Sequence, residues 1–349
     1  MRKLKVYIPI WEQDPRRSQN PYVATLCEAM SEQDENIAFA YDKELLWEND
    51  CLSFDIIHVM WPHVFAYIPI NTFVSRISQL KQNGVKIIST CHNITPHSKS
   101  DIEKSYYDAV YSMSDIIIHL GEFSRKMIAA TYPRSKHIVI PHHIYDNLYN
   151  DIHTQEESRR FLNLPSVWKT YVLCIGSFRN KAEIALIQNL AKKLIRERVA
   201  ILAPSLRMKP HLTCHWRSLL STICWYLKKI VQPNLIVSGE YVGNHDLPYY
   251  FAASSIVLIQ RIETLNSGNL PLAFRMGKAV AGPNVGNVGE LLAITGNPAF
   301  DPYNIYSVEK AVKQAINAEE LGKKNKEYAY NNWNVDIIAK RTLAVYRTF

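Results

Sequence analysis

Along the first 140 residues, short apolar runs alternate with longer stretches whose apolar positions recur every three or four residues. The runs at 5–10, 54–60, 86–90, 115–120 and 138–140 are rich in β-branched residues and predict buried strands. Between them, 22–31, 73–82, 101–113 and 122–132 carry helical spacing. Val23, Leu26, Cys27 and Met30 share one face of the first helix. Asn20-Pro21 just ahead reads as an N-cap followed by proline in the first turn. Repeated strand–helix units at this spacing imply a largely parallel sheet with helices on both faces.

The pattern weakens over 146–168, a polar stretch with one short helical segment at 156–162, and then restarts. Strands are predicted at 170–175, 199–204, 234–238, 255–259 and 279–281, with helices at 181–195, 247–253, 270–276 and 288–294. From 308 to 349 the chain is mostly helical, broken at Asn331-Asn332-Trp333. This rhythm predicts an α/β protein with a first domain at 1–150, a join at 151–168 and a second domain at 169–330. The two halves show no crisp internal repeat. One stretch departs from the rhythm. Residues 206–230 are basic and aromatic, and Trp216, Leu219, Leu220, Ile223 and Leu227 recur at helical spacing. Arg207, Lys209, Arg217, Lys228 and Lys229 could meet lipid headgroups, with Trp216 and Trp225 at the interface. An ordinary helix packed on its own domain has the same pattern.

Composition narrows the field modestly. The chain has 349 residues, 47% hydrophobic and 21% charged, which supports packed cores and excludes a disordered or collagen-like chain. A net charge of +8 suits an anionic substrate, an anionic surface or nucleic acid, and charge alone does not choose. No recognised nucleic-acid module accompanies it. Six cysteines without a CxxC pair suggest neither a zinc ribbon nor a disulfide framework, so reduced thiols in a cytoplasmic protein are expected. The amino-terminal apolar run is too short for a signal peptide, and no window approaches the ~18 apolar residues of a membrane span. Peripheral contact with the inner face of an anionic membrane is the one membrane role left open.

The most informative segment is 260–292. A strand enters the turn Asn266-Ser267-Gly268, and a short helix follows, so that backbone N–H groups of Ser267, Gly268 and Asn269 can face a phosphate. A second strand leads to Gly282, Gly286 and Gly289, which permit tight turns before another helix. Two glycine clusters at the ends of successive strands point to a ligand crevice beyond the carboxyl edge of a sheet. No GxGxxG or GxxxxGK[ST] fingerprint is present, against nicotinamide and P-loop readings. His58 and His63, His142-His143, and the group His211, Cys214 and His215 lack a zinc signature.

Here the sequence resembles the GT-B glycosyltransferases, in particular the GT4-like bacterial enzymes that use nucleotide sugars. The match runs through Glu263, Ser267-Gly268, the helix 270–274, Gly277-Lys278-Ala279-Val280, Gly286 and Glu290-Leu291. The resemblance implies two facing Rossmann-like domains with an interdomain cleft, and a final helix, 331–349, returning toward the first domain. It further implies a UDP- or GDP-sugar donor, no essential divalent metal, and donor contacts from Glu263, Asn266, Ser267, Gly268, Asn269 and Leu270. Pro271 stands where many GT4 enzymes have a second glutamate, as in an Asn-Ser-Gly subgroup, so that ribose contact must be absent or supplied elsewhere.

By the same resemblance, Gly176, Ser177, Arg179 and Lys181 should hold the donor diphosphate, although the interval is about two residues shorter than usual. Tyr249 should bound the nucleotide. In the first domain, His92, Asn93, Pro96 and His97 match a His-Asn-x-x-Pro-His segment. His92 could act neutral, hydrogen-bonding a sugar hydroxyl, or protonated, opposing phosphate charge; a loop histidine capping a neighbouring helix would look alike. The first loop, 11–20, lacks the family's usual glycine pair. Asp14 is its candidate general base, with Glu12 nearby, and Arg16 or Arg17 could contact an anionic lipid diphosphate. The implied activity is glycosyl transfer to a glycan or lipid-linked acceptor in bacterial surface polysaccharide or glycolipid synthesis, with retention of configuration. Inversion using Asp14, and a non-catalytic nucleotide-sugar-binding or scaffold protein of the same fold, are the alternatives.

Overall fold

The computed structural model describes residues 2–17, 20–96, 100–146, 148–149, 153–206, 232–318 and 320–349. The candidate amphipathic helix within 206–230 therefore lies outside the described residues, apart from Leu206, as does His97. Contacts divide the chain into two units, Met1–Leu148 with Asn332–Phe349, and Tyr149–Asn331.

In the first unit, β1 (Leu4–Tyr7), β2 (Ile37–Ala40), β3 (Ile56–Val59), β4 (Lys86–Cys91), β5 (Ile116–His119) and β6 (Lys136–Val139) form one sheet in the order β2-β1-β3-β4-β5-β6. Every pairing is parallel. β3 and β5 are buried along their whole length, as continuous β-branched runs require of strands covered on both faces. The connecting helices are α1 (Tyr22–Gln33), α2 (Ile70–Gln82), α3 (Asp101–Met113) and α4 (Glu122–Ala129). Pro21 is itself the residue preceding α1, and Asn20 Oδ1 accepts from the Tyr22 N–H at 3.1 Å.

The second unit contains α5 (Gln155–Phe161), β7 (Thr170–Leu173), α6 (Lys181–Leu194), β8 (Val199–Leu202), β9 (Leu235–Ile236), α7 (Leu247–Ala253) and β10 (Ile256–Leu258). Then come α8 (Asn269–Arg275), β11 (Ala279–Pro283), α9 (Gly286–Ile294), β12 (Ala299–Phe300), α10 (Ile305–Ile316) and α11 (Leu321–Trp333). Its parallel sheet runs β12-β11-β10-β7-β8-β9. Counted from β7 as the first strand, this is the 3-2-1-4-5-6 order of dinucleotide-binding domains, and its switch point lies between β7 and β10. Val172, Ile187, Ile201, Leu258 and Phe300 form part of one continuous core between sheet and helices.

The last helix, α12 (Val335–Tyr346), packs on α1 of the first unit. Its start is set by Asn334, whose side chain accepts from the Asp336 N–H at 2.9 Å, while Asp146 takes the Val335 N–H at 3.1 Å. The helical break therefore falls at Asn334, just beyond the expected 331–333. Tyr346 reaches His58 Nδ1 at 2.6 Å, and Thr90 meets the other ring nitrogen at 2.8 Å. A single buried imidazole thus ties α12 to β3 and β4. Among the described residues, no helix is long and apolar enough to cross a membrane.

Candidate functional site

The carboxyl end of β7 turns at Gly176, whose φ of +90° favours glycine. A side chain there would start 3.2 Å from Asn269 Nδ2, which instead donates to the Ile175 carbonyl at 2.7 Å. Gln260, at the end of β10, donates to the same carbonyl at 3.3 Å. Next to it, Arg261 donates through one nitrogen to the Ser177 carbonyl and to Glu183, both at 2.8 Å. Asn180 caps α6 by accepting from the Glu183 N–H at 2.9 Å, and the Glu183 carboxylate in turn accepts from the Arg179 N–H at 2.8 Å. The ion pair is enclosed, with side-chain exposures of 8% for Arg261 and 1% for Glu183. The loops after the two switch-point strands are thereby locked together.

This arrangement has a chemical consequence. Arg179 and Arg261 are close enough to repel each other, and Glu183 is a carboxylate that acts on both. Partial burial first, and then Arg261, lower the Arg179 guanidinium to about 10, with Glu183 opposing the shift; it stays protonated at neutral pH. The bay therefore keeps a surplus positive charge beside a glycine turn, suited to an anionic group. Lys181 is exposed at the start of α6. Neither Arg261 nor Glu183 was singled out by sequence motifs. The one local signal was a charged residue directly following an apolar strand.

The loop 263–268 is held from behind by α9. Asn287 donates its backbone N–H to the Leu265 carbonyl at 2.9 Å and its side-chain amide to Asn266 Oδ1 at 2.7 Å. Thr264 Oγ1 donates to the Asn266 carbonyl at 2.6 Å. Gly286 has φ +59°, and a Cβ there would overlap the Thr264 carbonyl oxygen and lie 2.8 Å from that of Leu265. The second glycine cluster thus serves close backbone packing. Replacing Gly286 with alanine should destabilise the second unit by on the order of 3 kcal/mol, combining left-handed strain with a backbone clash. Urea denaturation checks this, and a change below about 0.5 kcal/mol would contradict the packing role.

Ser267 accepts the Leu270 N–H through its carbonyl at 3.1 Å, which opens α8, and Gly268 precedes that helix. Pro271 is buried in the first turn of α8, where its missing N–H costs no intrahelical bond. Leu270 is buried, whereas Glu263 is exposed. Tyr249 stacks between His153 and Phe161, at ring separations of 3.9 and 4.0 Å. Its ring thus packs on the side of α5.

The first unit gathers rings at the carboxyl edge of its own sheet. His92, just after β4, stacks on Trp61 at 5.1 Å and meets the edge of Tyr22 at 4.8 Å. Tyr22 also stacks on His143 at 4.8 Å and contacts His142 at 4.7 Å. Desolvation, followed by repulsion from His142 and His58, lowers His92 to about 3, so its imidazole is neutral at physiological pH. The Asn93 carbonyl accepts the Tyr111 hydroxyl at 2.5 Å, fixing the loop.

Asp14 is a different case. Arg16 donates to its two oxygens at 3.0 and 3.2 Å, and the Arg16 backbone N–H adds a third bond at 3.0 Å. Acid and base from the first loop thus neutralise each other within one short turn, Pro15–Arg17; the Arg17 side chain lies outside the described residues. Among the described residues, no group of three or more His, Cys, Asp or Glu side chains could hold a metal ion.

No family model matches this chain, and no curated protein matches it. Solved structures match over its full length. Sucrose-phosphate synthase from Thermosynechococcus elongatus superposes with a TM-score of 0.71 at 14% identity, covering 99% of each chain. HepE from Anabaena, in complex with UDP and glucose, gives 0.69 at 12% identity, over 99% of this chain and 100% of that one. The UDP-forming α,α-trehalose-phosphate synthase from Burkholderia vietnamiensis gives 0.65 at 10% identity, over 100% and 99%. At such identities the likeness is one of architecture, and with its two parallel six-stranded sheets the chain has the GT-B fold.

Proposed function

We propose that the protein is a glycosyltransferase that moves a sugar from a nucleoside-diphosphate sugar to a glycan or lipid-linked acceptor. The observation that carries this reading is the surplus cation at the β7–β10 switch point, where Arg179 stands beside the Arg261–Glu183 pair. Departure of a nucleoside diphosphate builds negative charge on its phosphates. Fixed guanidinium and backbone N–H groups stabilise that charge without reorganising. A UDP-sugar is the favoured donor over a GDP-sugar, since HepE holds UDP and glucose and the trehalose-phosphate synthase is UDP-forming. Glu263, exposed at the mouth of the loop, is assigned to the donor sugar or ribose, and Lys181 to an outer phosphate contact. Acceptors of bacterial surface polysaccharide or glycolipid synthesis fit the sequence resemblance, as does peripheral attachment to an anionic membrane.

Transfer with retention is the stereochemistry we assign. In it, a donor phosphate assists front-face attack, and neutral His92 hydrogen-bonds the reacting sugar. Asp14, a carboxylate already paired with Arg16, is assigned no part in proton transfer. His92→Ala should lower kcat by about 100-fold, at the low end for a group acting on the reacting centre. Asp14→Ala should leave kcat within about twofold, because a base would contribute far more. Steady-state rates check both, and a large loss confined to Asp14→Ala would instead support inversion. Product analysis across UDP-, GDP- and ADP-sugars with a lipid-linked acceptor tests the activity itself. Absence of any product, with nucleotide binding intact, would support a non-catalytic binding protein.

A further inference from the structure

We propose that Trp11 and Tyr67 form a stacking platform for an uncharged pyranose ring, so that the first unit recognises a glycan chain. This rests on the glycosyl-transfer reading and selects the acceptor class within it. In the first unit's sheet the order β2-β1-β3 places the switch point between β1 and β3. Trp11 stands on the loop that leaves β1 at Tyr7, and Tyr67 on the chain that leaves β3 at Val59. Lys43 follows β2, which ends at Ala40. All three therefore lie beyond the carboxyl edge, where an open parallel sheet binds its ligands.

Trp11 is 54% exposed and Tyr67 41%. Single exposed rings need no explanation, but these two are held as a unit. Their centres lie 6.4 Å apart with the planes tilted by 48°. The Lys43 ammonium sits 5.0 Å from the Trp11 ring centre and 3.7 Å from that of Tyr67, although its side chain is only 17% exposed. The cation thus backs both rings and leaves their open surface to solvent. Lys43 is itself fixed, since its backbone N–H donates to the Ile10 carbonyl at 3.1 Å and its ammonium pairs with Glu44. Glu44 also accepts the Tyr67 hydroxyl at 3.0 Å. Asp42, at φ +73°, accepts the Tyr7 hydroxyl through its carbonyl and the Gln13 amide through its carboxylate, both at 2.9 Å. Segments following three strands are thereby locked into one pre-formed aromatic surface, which lowers the ordering cost of binding.

A pyranose offers a face of weakly positive C–H bonds, suited to the negative face of an aromatic ring, and a rim of hydroxyl groups. Glu44, Asp42 and Gln13 place acceptors and an amide beside the rings, and a carboxylate has room for about four hydrogen bonds, so Glu44 can take a sugar hydroxyl as well. An anionic membrane would need the opposite charge. Among the described side chains of 11–17 and 42–47, the carboxylates of Glu12, Asp14, Asp42 and Glu44 outnumber the cations of Arg16 and Lys43. Aromatic rings without a basic surplus suit a neutral sugar.

The test is calorimetric titration of three neutral hexasaccharides, maltohexaose, cellohexaose and chitohexaose, into the intact protein and into Trp11→Ala, Tyr67→Ala and Tyr67→Phe. At least one should bind the wild type at up to about 10 mM. Trp11→Ala and Tyr67→Ala should weaken it about tenfold, the scale of one aromatic contact, and Tyr67→Phe, which keeps the ring, by less than about threefold. UDP affinity should be unchanged in all three. No hexasaccharide binding to the wild type, or equal affinity in Trp11→Ala, would overturn the platform. Sedimentation with vesicles containing phosphatidylserine that is lost in Trp11→Ala would also overturn it, by making the rings a membrane contact. Hexasaccharide binding lost in Trp11→Ala in a protein that binds no UDP would support the platform while refuting the glycosyl-transfer reading; the reverse pattern would refute the platform alone.

Discussion

Replacing Arg261 with methionine should lower the stability of the second unit by about 3–5 kcal/mol and strip the donor bay of its ability to hold a diphosphate. Glu183 is the reason for the first effect. It is enclosed almost completely, and without Arg261 its carboxylate would keep the Arg179 backbone N–H but no cation held by an ion pair. The second effect follows from the Ser177 carbonyl and Gly176, because Arg261 shapes the turn on which the phosphates would rest. The two effects separate in the double variant Arg261→Met/Glu183→Met. An apolar pair of similar size removes the buried charge, so most of the stability should return. Diphosphate binding should not. Urea denaturation and UDP titration on the three proteins measure this directly. Recovery of both properties in the double variant would show that the arginine has no part in binding.

Acid should unfold the first unit well before carboxylates become protonated. Burial lowers His58, His92 and His119 to about 3 and His142 to about 4, and pushes His143 well below its ordinary value. In the unfolded chain each would titrate near 6.5. The native state therefore keeps these rings neutral while the unfolded state takes up protons. Their contribution is complete above pH 6.5 and is lost progressively as pH falls from 6.5 toward the folded values. Each group costs at most about 2 kcal/mol by pH 5, and five in one unit should remove several kcal/mol. Thermal denaturation at pH 7, 6 and 5, with hydrogen exchange to locate the melting region, checks this. An unchanged Tm over that interval would contradict it. His92 should stay neutral throughout, so the acid limb of activity would report unfolding rather than its titration.

Much of this architecture was legible because strand and helix periodicities are local. The helices Asp101–Met113 and Leu247–Ala253 were delimited by their apolar spacing alone. Two strands were not. Ile37–Ala40 is an edge strand of four residues, two of them alanine and only its first fully buried, and Ala299–Phe300 is two residues long, so neither carries a long β-branched run. At the candidate site, Gly176 and Arg179 were visible as a glycine turn and a cation after a strand. Their organising pair was not, because Arg261 and Glu183 lie 78 residues apart and each reads locally as an ordinary charged residue. Asp14 shows the converse. Its position in an open, charged loop suggested a base, while its bidentate contact with Arg16 depends on a turn geometry that spacing does not reveal. Tyr249 likewise sits on the expected helix, but stacking on His153 and Phe161 sets the direction of its ring.

The most direct measurement is a calorimetric titration of UDP into the intact protein and into Arg179→Met. Among the described residues the Arg179 side chain forms no ion pair, so its loss should leave thermal unfolding nearly unchanged. The account predicts saturable binding of one UDP per chain, weakened about tenfold in the variant, as loss of a charge-assisted contact to phosphate would produce. No UDP binding to the wild type, or equal affinity in a folded Arg179→Met, would contradict it.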